Sequence, residues 1–366
     1  MGGPILQRAI GNLPALLVGA VGGYIFLLLR MPLAWMLGSM IFVAILALAS
    51  DAQGGRNGGK GRGHRLPVRV DNRLREVMVT VIGVLLGSAF RPAMLEHLIE
   101  WIWLILLLLA YIPLVTALGY IQFRRLGRLD PVTSFFAATP GGLQEMTIIG
   151  EYYGGDGRHI VLAHAIRIFV VVMTIPFYFR FIAGYHVPPM APGLHVTEMP
   201  GLELALLAGC GIVGWIGAHY LRMPASRLVG PMLVSAAVHL SGLSDAKPPP
   251  EVVAIAQLVM GAALGTRFAG TPISEIRRIA GLGVLSALVM VAVAVAATFA
   301  FADLIGVRTE TLALVLSPGG LAEVSLIALA IGVDVAIVSS MHVLRIAVVV
   351  LLAPLSFRLL GLKKTV

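Results

Sequence analysis

Long apolar runs leave this chain few ways to fold. Of its 366 residues, 58% are hydrophobic and only 12% are charged, about half the roughly 25% charged residues of a soluble domain. Such a chain has too little polar surface to cover a globule in water. The alternative solvent is lipid, which a helix of about 20 apolar residues can cross. We therefore predict an all-α, polytopic protein of a bacterial-type inner membrane, and exclude an ordinary soluble enzyme or DNA-binding module.

The hydropathy pattern predicts five spanning helices in each half of the chain. Two more apolar segments, 131–152 and 309–332, are interrupted by Pro-Gly-Gly. The stretch 183–203 is too short and too Pro-rich to span, so we interpret it as the linker between a first unit, 1–182, and a second, 204–366. The predicted spans are 10–29, 33–50, 76–90, 98–120, 158–180, 204–221, 226–243, 251–269, 278–302 and 336–360.

The two units are duplicates of one another. A shift of 178 residues, without a gap from residue 83 to residue 180, superimposes polar and special residues that apolar composition alone would not align. Nearer the N-terminus the shift is 192, and Arg30-Met31-Pro32 matches Arg222-Met223-Pro224. The matched pairs include Gly83 and Gly261, Pro140-Gly141-Gly142 and Pro318-Gly319-Gly320, Glu145 and Glu323, His164 and His342, and Arg167 and Arg345.

The direction of the repeats depends on the interrupted segments. If these segments cross the bilayer, the halves are parallel and 17 of 24 basic residues outside the membrane share one side; if they re-enter, the halves are inverted and 19 of the 24 do so. Basic residues collect on the cytoplasmic side, so we predict inverted repeats, the usual plan of a secondary transporter. Both termini are cytoplasmic in either case.

A basic, Gly-rich loop, 51–75, occurs only in the first half. It contributes seven arginines and lysines to a net charge of +9. We interpret it as a solvated cytoplasmic loop rather than a site for nucleic acid or anionic lipid, because no aromatic residue interleaves its charges. The seven residues are Arg56, Lys60, Arg62, Arg65, Arg69, Arg73 and Arg75.

The Pro-Gly-Gly interruptions are the best candidates for a solute or ion site. Proline lacks an N–H and clashes with the preceding turn, and the freed backbone groups cannot face lipid. The alternative is a kink that lets helices pack closely. Glu145 and Glu323 follow three residues after the second glycine, where a carboxylate must face a cavity, form an ion pair or hold a proton. The candidate residues at the interruptions are Pro140, Gly141, Gly142, Gln144, Glu145, Pro318, Gly319, Gly320 and Glu323.

The last helix of each half adds a histidine and an arginine to the candidates. Arg167 and Arg345 could pair with the glutamates or hold an anionic substrate, and we weigh the two equally. His164 and His342 precede them by three residues, on the same helix face. They either relay protons or, more commonly, bind neighbouring backbone.

Other polar residues suggest structural roles. Asp156 and Asp334 are expected to cap these last helices, and the two Arg-Met-Pro sequences are expected to form tight turns. The single cysteine and the histidine spacing give no recognisable metal-ligand pattern. We predict no metal and no cofactor.

These motifs resemble those of the AbrB-type integral membrane proteins. The resemblance covers nearly the whole chain and rests on Thr-Pro-Gly-Gly-Leu-Gln-Glu at 139–145, Ser-Pro-Gly-Gly-Leu-Ala-Glu at 317–323 and His164-Ala-Ile-Arg167. Members carry an AbrB duplication and are often labelled ammonia monooxygenase or transcriptional regulator. The family is also broadly similar to cation–proton antiporter and bile-acid-carrier folds, an analogy of fold alone.

The leading functional hypothesis is secondary transport of a small solute, with proton coupling through Glu145 and Glu323. A non-transporting membrane protein that affects gene expression is the first alternative, and a membrane monooxygenase is the second and weaker one. We expect a non-enzymatic protein whose partners are the bilayer, an unidentified solute and protons, with a homo-oligomer left open and no direct contact with nucleic acid.

Overall fold

The computed structural model describes residues 4–56, 68–97, 101–185, 193–270 and 273–361, and these residues form helices and no strands. The all-α prediction is confirmed. The helices are α1 (Pro4–Leu28), α2 (Ala34–Arg56), α3 (Asn72–Gly87), α4 (Trp101–Arg125), α5 (Pro131–Ala138), α6 (Leu143–Tyr152), α7 (Gly157–Phe177), α8 (Gly201–Tyr220), α9 (Ser226–Leu240), α10 (Pro250–Gly265), α11 (Ile273–Ile305), α12 (Thr309–Leu316), α13 (Leu321–Ile331) and α14 (Val335–Leu359).

Six of these helices are long and apolar enough to cross a bilayer: Trp101–Arg125, Gly157–Ile182, Gly201–Tyr220, Pro250–Phe268, Arg278–Ile305 and Val335–Leu359. Shorter apolar helices cover Asn12–Leu28, Ala34–Ser50, Ser226–Leu240 and Leu321–Ile331. Large apolar side chains such as Trp103, Leu285 and Leu351 remain exposed on the outer faces. Apolar surface of this extent suits a lipid surrounding.

Close glycine contacts determine how the first three helices of each half interlock. Gly261 and Gly265 of α10 lie against the carbonyl oxygens of Met36 and Met40 of α2. In the same way, Gly83 and Gly87 of α3 lie against the carbonyl oxygens of Leu228 and Met232 of α9. Residue numbers rise together in both pairs, so α2 runs parallel to α10 and α3 runs parallel to α9. Small residues allow this backbone approach in membrane helices.

We predict a large difference between two glycines three residues apart on α8. Gly214 packs on the backbone of Pro231, whereas Gly217 has no atom within 4 Å of an added Cβ. Gly214→Val should lower the melting temperature of the detergent-purified protein, because overpacking costs about 1–3 kcal/mol. Gly217→Val, with the same helix-propensity cost, is the control. Equal melting temperatures for the two variants would contradict the observed α8–α9 interface.

The predicted turns and caps are confirmed. Arg30 and Arg222 both adopt φ of 51° in the turns that join α1 to α2 and α8 to α9. The Asp156 side chain accepts from the backbone N–H groups of Arg158 and His159 at the start of α7. Asp334 accepts from Ile337 N–H at the start of α14, at 3.0 Å.

The basic loop is shorter than predicted. Residues 57–67 lie outside the described part of the chain, but α3 begins at Asn72, so Arg73 and Arg75 belong to a helix. The Asp71 carboxylate caps this helix by accepting from Arg73 N–H at 2.9 Å. The start of α3 was not predicted, because its capping residue Asp71 lies among basic residues that are typical of a solvated loop.

The second half of the predicted linker is irregular as far as Pro200, and α8 begins at Gly201, inside the predicted linker. Residues 186–192 lie outside the described part. His195 hydrogen-bonds the Glu251 carboxylate at the start of α10, and this bond raises the pKa of the His195 imidazole.

Candidate substrate site at the two helix breaks

The first Pro-Gly-Gly segment forms a helical hairpin. The α5 helix begins after the cap residue Asp130, breaks at 139–142, and is followed by α6. The start of α5 and the end of α6 lie side by side, because Asp156 N–H, just beyond α6, donates to Thr133 Oγ1 on α5 at 2.8 Å. Phe136 of α5 also stacks on Tyr153 at the end of α6, with ring centroids 5.9 Å apart. The break is therefore the tip of a hairpin.

The second segment has the same organisation of elements. The α12 helix ends before Ser317, and α13 begins after Gly320. Both tips end on a glycine N-cap that offers no side-chain acceptor to the new helix. Glu145 and Glu323 occupy the first turns of α6 and α13, and each carboxylate lies over the glycine that begins its own helix.

The histidines of α7 and α14 bind carbonyl groups whose regular helical donor is replaced by proline, although the Leu314 carbonyl also accepts from Ser317 N–H at 3.1 Å. In a regular helix the N–H of residue 140 would bond the carbonyl of Phe136, but Pro140 has no N–H. His164 Nε2 is 2.9 Å from that carbonyl oxygen. His342 Nε2 is likewise 2.9 Å from the carbonyl oxygen of Leu314, the residue four before Pro318. Each histidine thus replaces the hydrogen bond that a proline removed.

The buried arginines bind the remaining carbonyl groups of the tips. Arg345 donates to the Ser317 carbonyl at 2.6 Å and to the Gly319 carbonyl at 2.7 Å. Arg167 reaches the equivalent Thr139 and Gly141 carbonyls at 3.3 and 3.5 Å. Both arginines are 3% exposed. Their many donors suit them to saturating broken backbone.

Each arginine also contacts its own histidine. The Arg167 guanidinium is 3.1 Å from His164 Nδ1, and that of Arg345 is 2.9 Å from His342 Nδ1. Nδ1 therefore accepts and Nε2 donates, which assigns a neutral tautomer to both rings. This geometry corresponds to the backbone-binding interpretation rather than the proton relay. It also leaves no ion pair between these arginines and Glu145 or Glu323 among the described residues.

The two tips meet the opposite halves of the molecule. A methyl group on Gly141 would lie 2.7 Å from Val349 Cγ1 of α14, and one on Gly319 would lie 3.0 Å from Val171 Cγ1 of α7. A further contact joins α4 to α11, where Tyr111 donates to the Met290 carbonyl at 3.2 Å. The glycines are needed because the tips pack tightly here.

A cavity of about 390 Å³ lies on the other side of the tips. Both helix starts face it, so equivalent residues of the two halves line one space. Of the predicted candidates, Gly142, Gln144, Glu145, Gly320 and Glu323 line the cavity. Pro140, Gly141, His164, Arg167, Pro318, Gly319, His342 and Arg345 are not among its lining residues; the histidines and arginines instead support the tips.

Four charged residues at the cavity were not among the predicted candidates: Arg75, Glu76, Arg227 and Arg267. Arg227 Nε is 3.0 Å from Glu76 Oε2, so these two form an ion pair. Among the described residues, the guanidinium groups of Arg75 and Arg267 have no hydrogen bond and no ion pair within 4 Å. These residues could have been found from the sequence, because single arginines stand at the ends of apolar helices. Within the described residues, no group of three or more His, Cys, Asp and Glu is placed to hold a metal ion.

These features define a class: a helical, membrane-type chain in which two Pro-Gly-Gly helix breaks lie beside one charged cavity. The chain belongs to the AbrB family. The sequence profile described as "Transition state regulatory protein AbrB" matches residues 62–361.

Two relatives match over nearly their full length. "Uncharacterized protein YhjN" of Bacillus subtilis (strain 168) is 25% identical, over 97% of this chain and 94% of its own. "Putative regulator AbrB" of Escherichia coli (strain K12) is 23% identical, over 96% of this chain and 95% of its own.

Proposed function

We propose that the protein is a secondary transporter of a small solute and that the cavity at the two tips is its binding site. The observation that carries this proposal is the convergence of equivalent carboxylates, Glu145 and Glu323, on one cavity of about 390 Å³. Broken helices from two repeats that meet in the membrane supply exposed backbone and helix ends for a solute. A volume of this size suits a small molecule.

We further propose an architecture of two inverted units, each with five spans and one re-entrant hairpin. The parallel pairing of α2 with α10 and of α3 with α9 supports inversion, because corresponding helices α2 and α9 then run in opposite directions if successive spans alternate. The Thr133–Asp156 contact supports re-entry, since it holds both ends of the first hairpin together.

Contacts between distant segments agree with this topology. One face of the molecule joins Asp71 to Asn12 and Arg278 to Gly127, and the opposite face joins Tyr185 to Glu310. The first face carries both described chain ends and the basic loop, so the positive-inside rule makes it cytoplasmic. The cavity residues Arg75, Arg227 and Arg267 lie at helix ends on this face, so we propose an inward-facing state.

Proton coupling follows from the two cavity carboxylates, because a carboxyl group in a membrane interior binds and releases protons as solvent access alternates. We expect purified protein in proteoliposomes to accumulate a transported solute from a labelled metabolite panel only while a proton gradient is present. A protonophore should reduce this accumulation to the level of empty vesicles. Accumulation that persists with the gradient collapsed would remove proton coupling, and no flux for any solute would remove transport.

A role in gene regulation is the second candidate, because one relative bears the name "Putative regulator AbrB". Such a role would use a cytoplasmic surface, and the basic loop is the largest charged candidate. We expect deletion of residues 57–67 to leave solute flux within about twofold of the intact protein, because the helices begin and end outside this segment. Lost flux would implicate the loop in transport, whereas intact flux with altered transcript levels would support the regulatory role. The deletion spares Arg75.

A further inference from the structure

Two cavity arginines whose guanidinium groups make no hydrogen bond or close ion pair among the described residues point to the chemistry of the solute. Arg75 and Arg267 line the same cavity as Glu145 and Glu323. Arg227 and Glu76 neutralise one another in an ion pair. Arg75 and Arg267 carry like charges at the same cavity, and Arg75 also faces the opposite charge of Glu323 there. Arg75 Nε is buried and has no hydrogen-bond partner among the described residues. An anion between the two guanidinium groups would relieve the repulsion and use their donors.

The shape of a guanidinium group favours a planar oxyanion. Arginine binds carboxylate or phosphate oxygens through two parallel hydrogen bonds. The first turns of α6 and α13 also face the cavity, and helix N-termini favour negative charge. Because each guanidinium group can bind one carboxylate in this way, the two arginines together can hold both anionic groups of one solute.

The remaining lining suits a short aliphatic body between those groups. Ile168, Ile346, Met260 and Leu264 line the cavity beside the charged residues. These side chains offer apolar contact and no hydrogen-bond donor. The volume of about 390 Å³ limits the length of the solute.

The net charge of the cavity lining indicates how many protons would accompany the solute. With all six charged residues ionised, the three arginines and three glutamates of the lining sum to zero. Protonation of Glu145 and Glu323 leaves a charge of +2, which a dianion neutralises. The other charged residues that face these two glutamates are Arg75, Glu76, Arg227 and Arg267, and Arg167 and Arg345 lie behind the tips. A neutral filled cavity crosses the membrane at the lowest electrostatic cost.

We propose that the solute is a small aliphatic dicarboxylate that binds between Arg75 and Arg267 and is transported with two protons. This inference rests on the proposed transport function and specifies its substrate class.

The test measures binding of dicarboxylates to the full chain in detergent. Malonate, succinate, glutarate and adipate are compared with butyrate, a neutral sugar and putrescine by calorimetry and thermal shift, at neutral and mildly acidic pH. At least one dicarboxylate should bind, and more tightly at acidic pH. Arg75→Gln and Arg267→Gln should each weaken that binding about tenfold or more, the cost of a lost charge-assisted pair.

Two controls separate binding from folding. Arg91→Gln carries the same change at an exposed arginine outside the cavity and should bind like the unaltered protein. Arg75→Lys and Arg267→Lys keep the charge without the planar fork and should bind with intermediate affinity.

The remaining outcomes would each overturn the proposal, and they can be told apart. If no dicarboxylate binds, or if binding ignores both arginines, the substrate class is wrong. If a sugar or diamine binds and is transported instead, the transport function stands and only the substrate class falls. If no solute of any class crosses in proteoliposomes, the transport function itself falls.

Discussion

Replacement of both Glu145 and Glu323 by glutamine is expected to abolish proton-driven accumulation while leaving the protein folded and able to bind its solute. Glutamine resembles a neutral glutamic acid in shape but cannot release a proton. Both carboxylates line the same cavity, so the double variant should behave as if permanently protonated. Accumulation against a gradient should fall at least about tenfold, whereas exchange of labelled for unlabelled solute across the vesicle should continue.

Solute binding by this double variant should also lose its pH dependence. The control is Glu151→Gln, which alters an exposed carboxylate on the same helix as Glu145 and should transport normally. Full proton-driven accumulation in the double variant would return both glutamates to a structural role as helix N-terminal acids. Loss of exchange together with accumulation would instead assign them to solute binding.

Replacement of Arg345 by methionine is expected to destabilise the protein more than any other single substitution considered. It would leave the Ser317 and Gly319 carbonyls and His342 Nδ1 without a donor in a fully buried site. Each unsatisfied buried acceptor costs about 1–3 kcal/mol, so the loss of donors to three acceptors is expected to cost about 3–9 kcal/mol. Thermal unfolding followed by size-exclusion chromatography in detergent measures it.

The first hairpin supplies a matched comparison. Arg167→Met removes the equivalent contacts, but these are longer, at 3.3 and 3.5 Å to the two carbonyls. It should therefore destabilise less than Arg345→Met. Arg91→Met changes an exposed arginine and should leave the melting temperature unchanged. A stable Arg345→Met protein would show that another donor reaches the second tip.

The hydropathy pattern predicted most of the helices. The helix limits agree with the predicted spans to within several residues in most cases, because apolar runs end where charged or glycine residues begin. The breaks were predictable as well, since Pro140 and Pro318 cannot continue a helix. What the pattern left open was the path of each segment after its break, because re-entry depends on tertiary contacts such as that between Thr133 and Asp156.

The candidate site was harder to predict than the fold. Sequence spacing correctly grouped His164 with Arg167, but it did not show that both face the backbone of the tip rather than the cavity. Arg75 was assigned to a solvated loop because six other basic residues precede it within 25 positions. Its role at the cavity depends on α3 packing beside α9, a contact made across more than 140 residues.

The two tips have equivalent sequences, but the cavity arginines beside them have no equivalent in the other half. If the shift of 178 residues is extended to the start of α3, which then coincides with the start of α10, Arg75 corresponds to Val253; in the same shift Arg267 corresponds to Ala89. Suppose that the two halves exchange conformations, so that the cavity opens toward the opposite compartment. Val253 and Ala89 would then occupy, at the new entrance, the positions that Arg75 and Arg267 occupy at the present one. The entrance to the cavity in that state would be apolar, whereas the entrance in the present state is cationic. If the protein is the transporter that we propose, it would then show unequal half-saturation concentrations from its two faces, although the driving force for transport is unchanged.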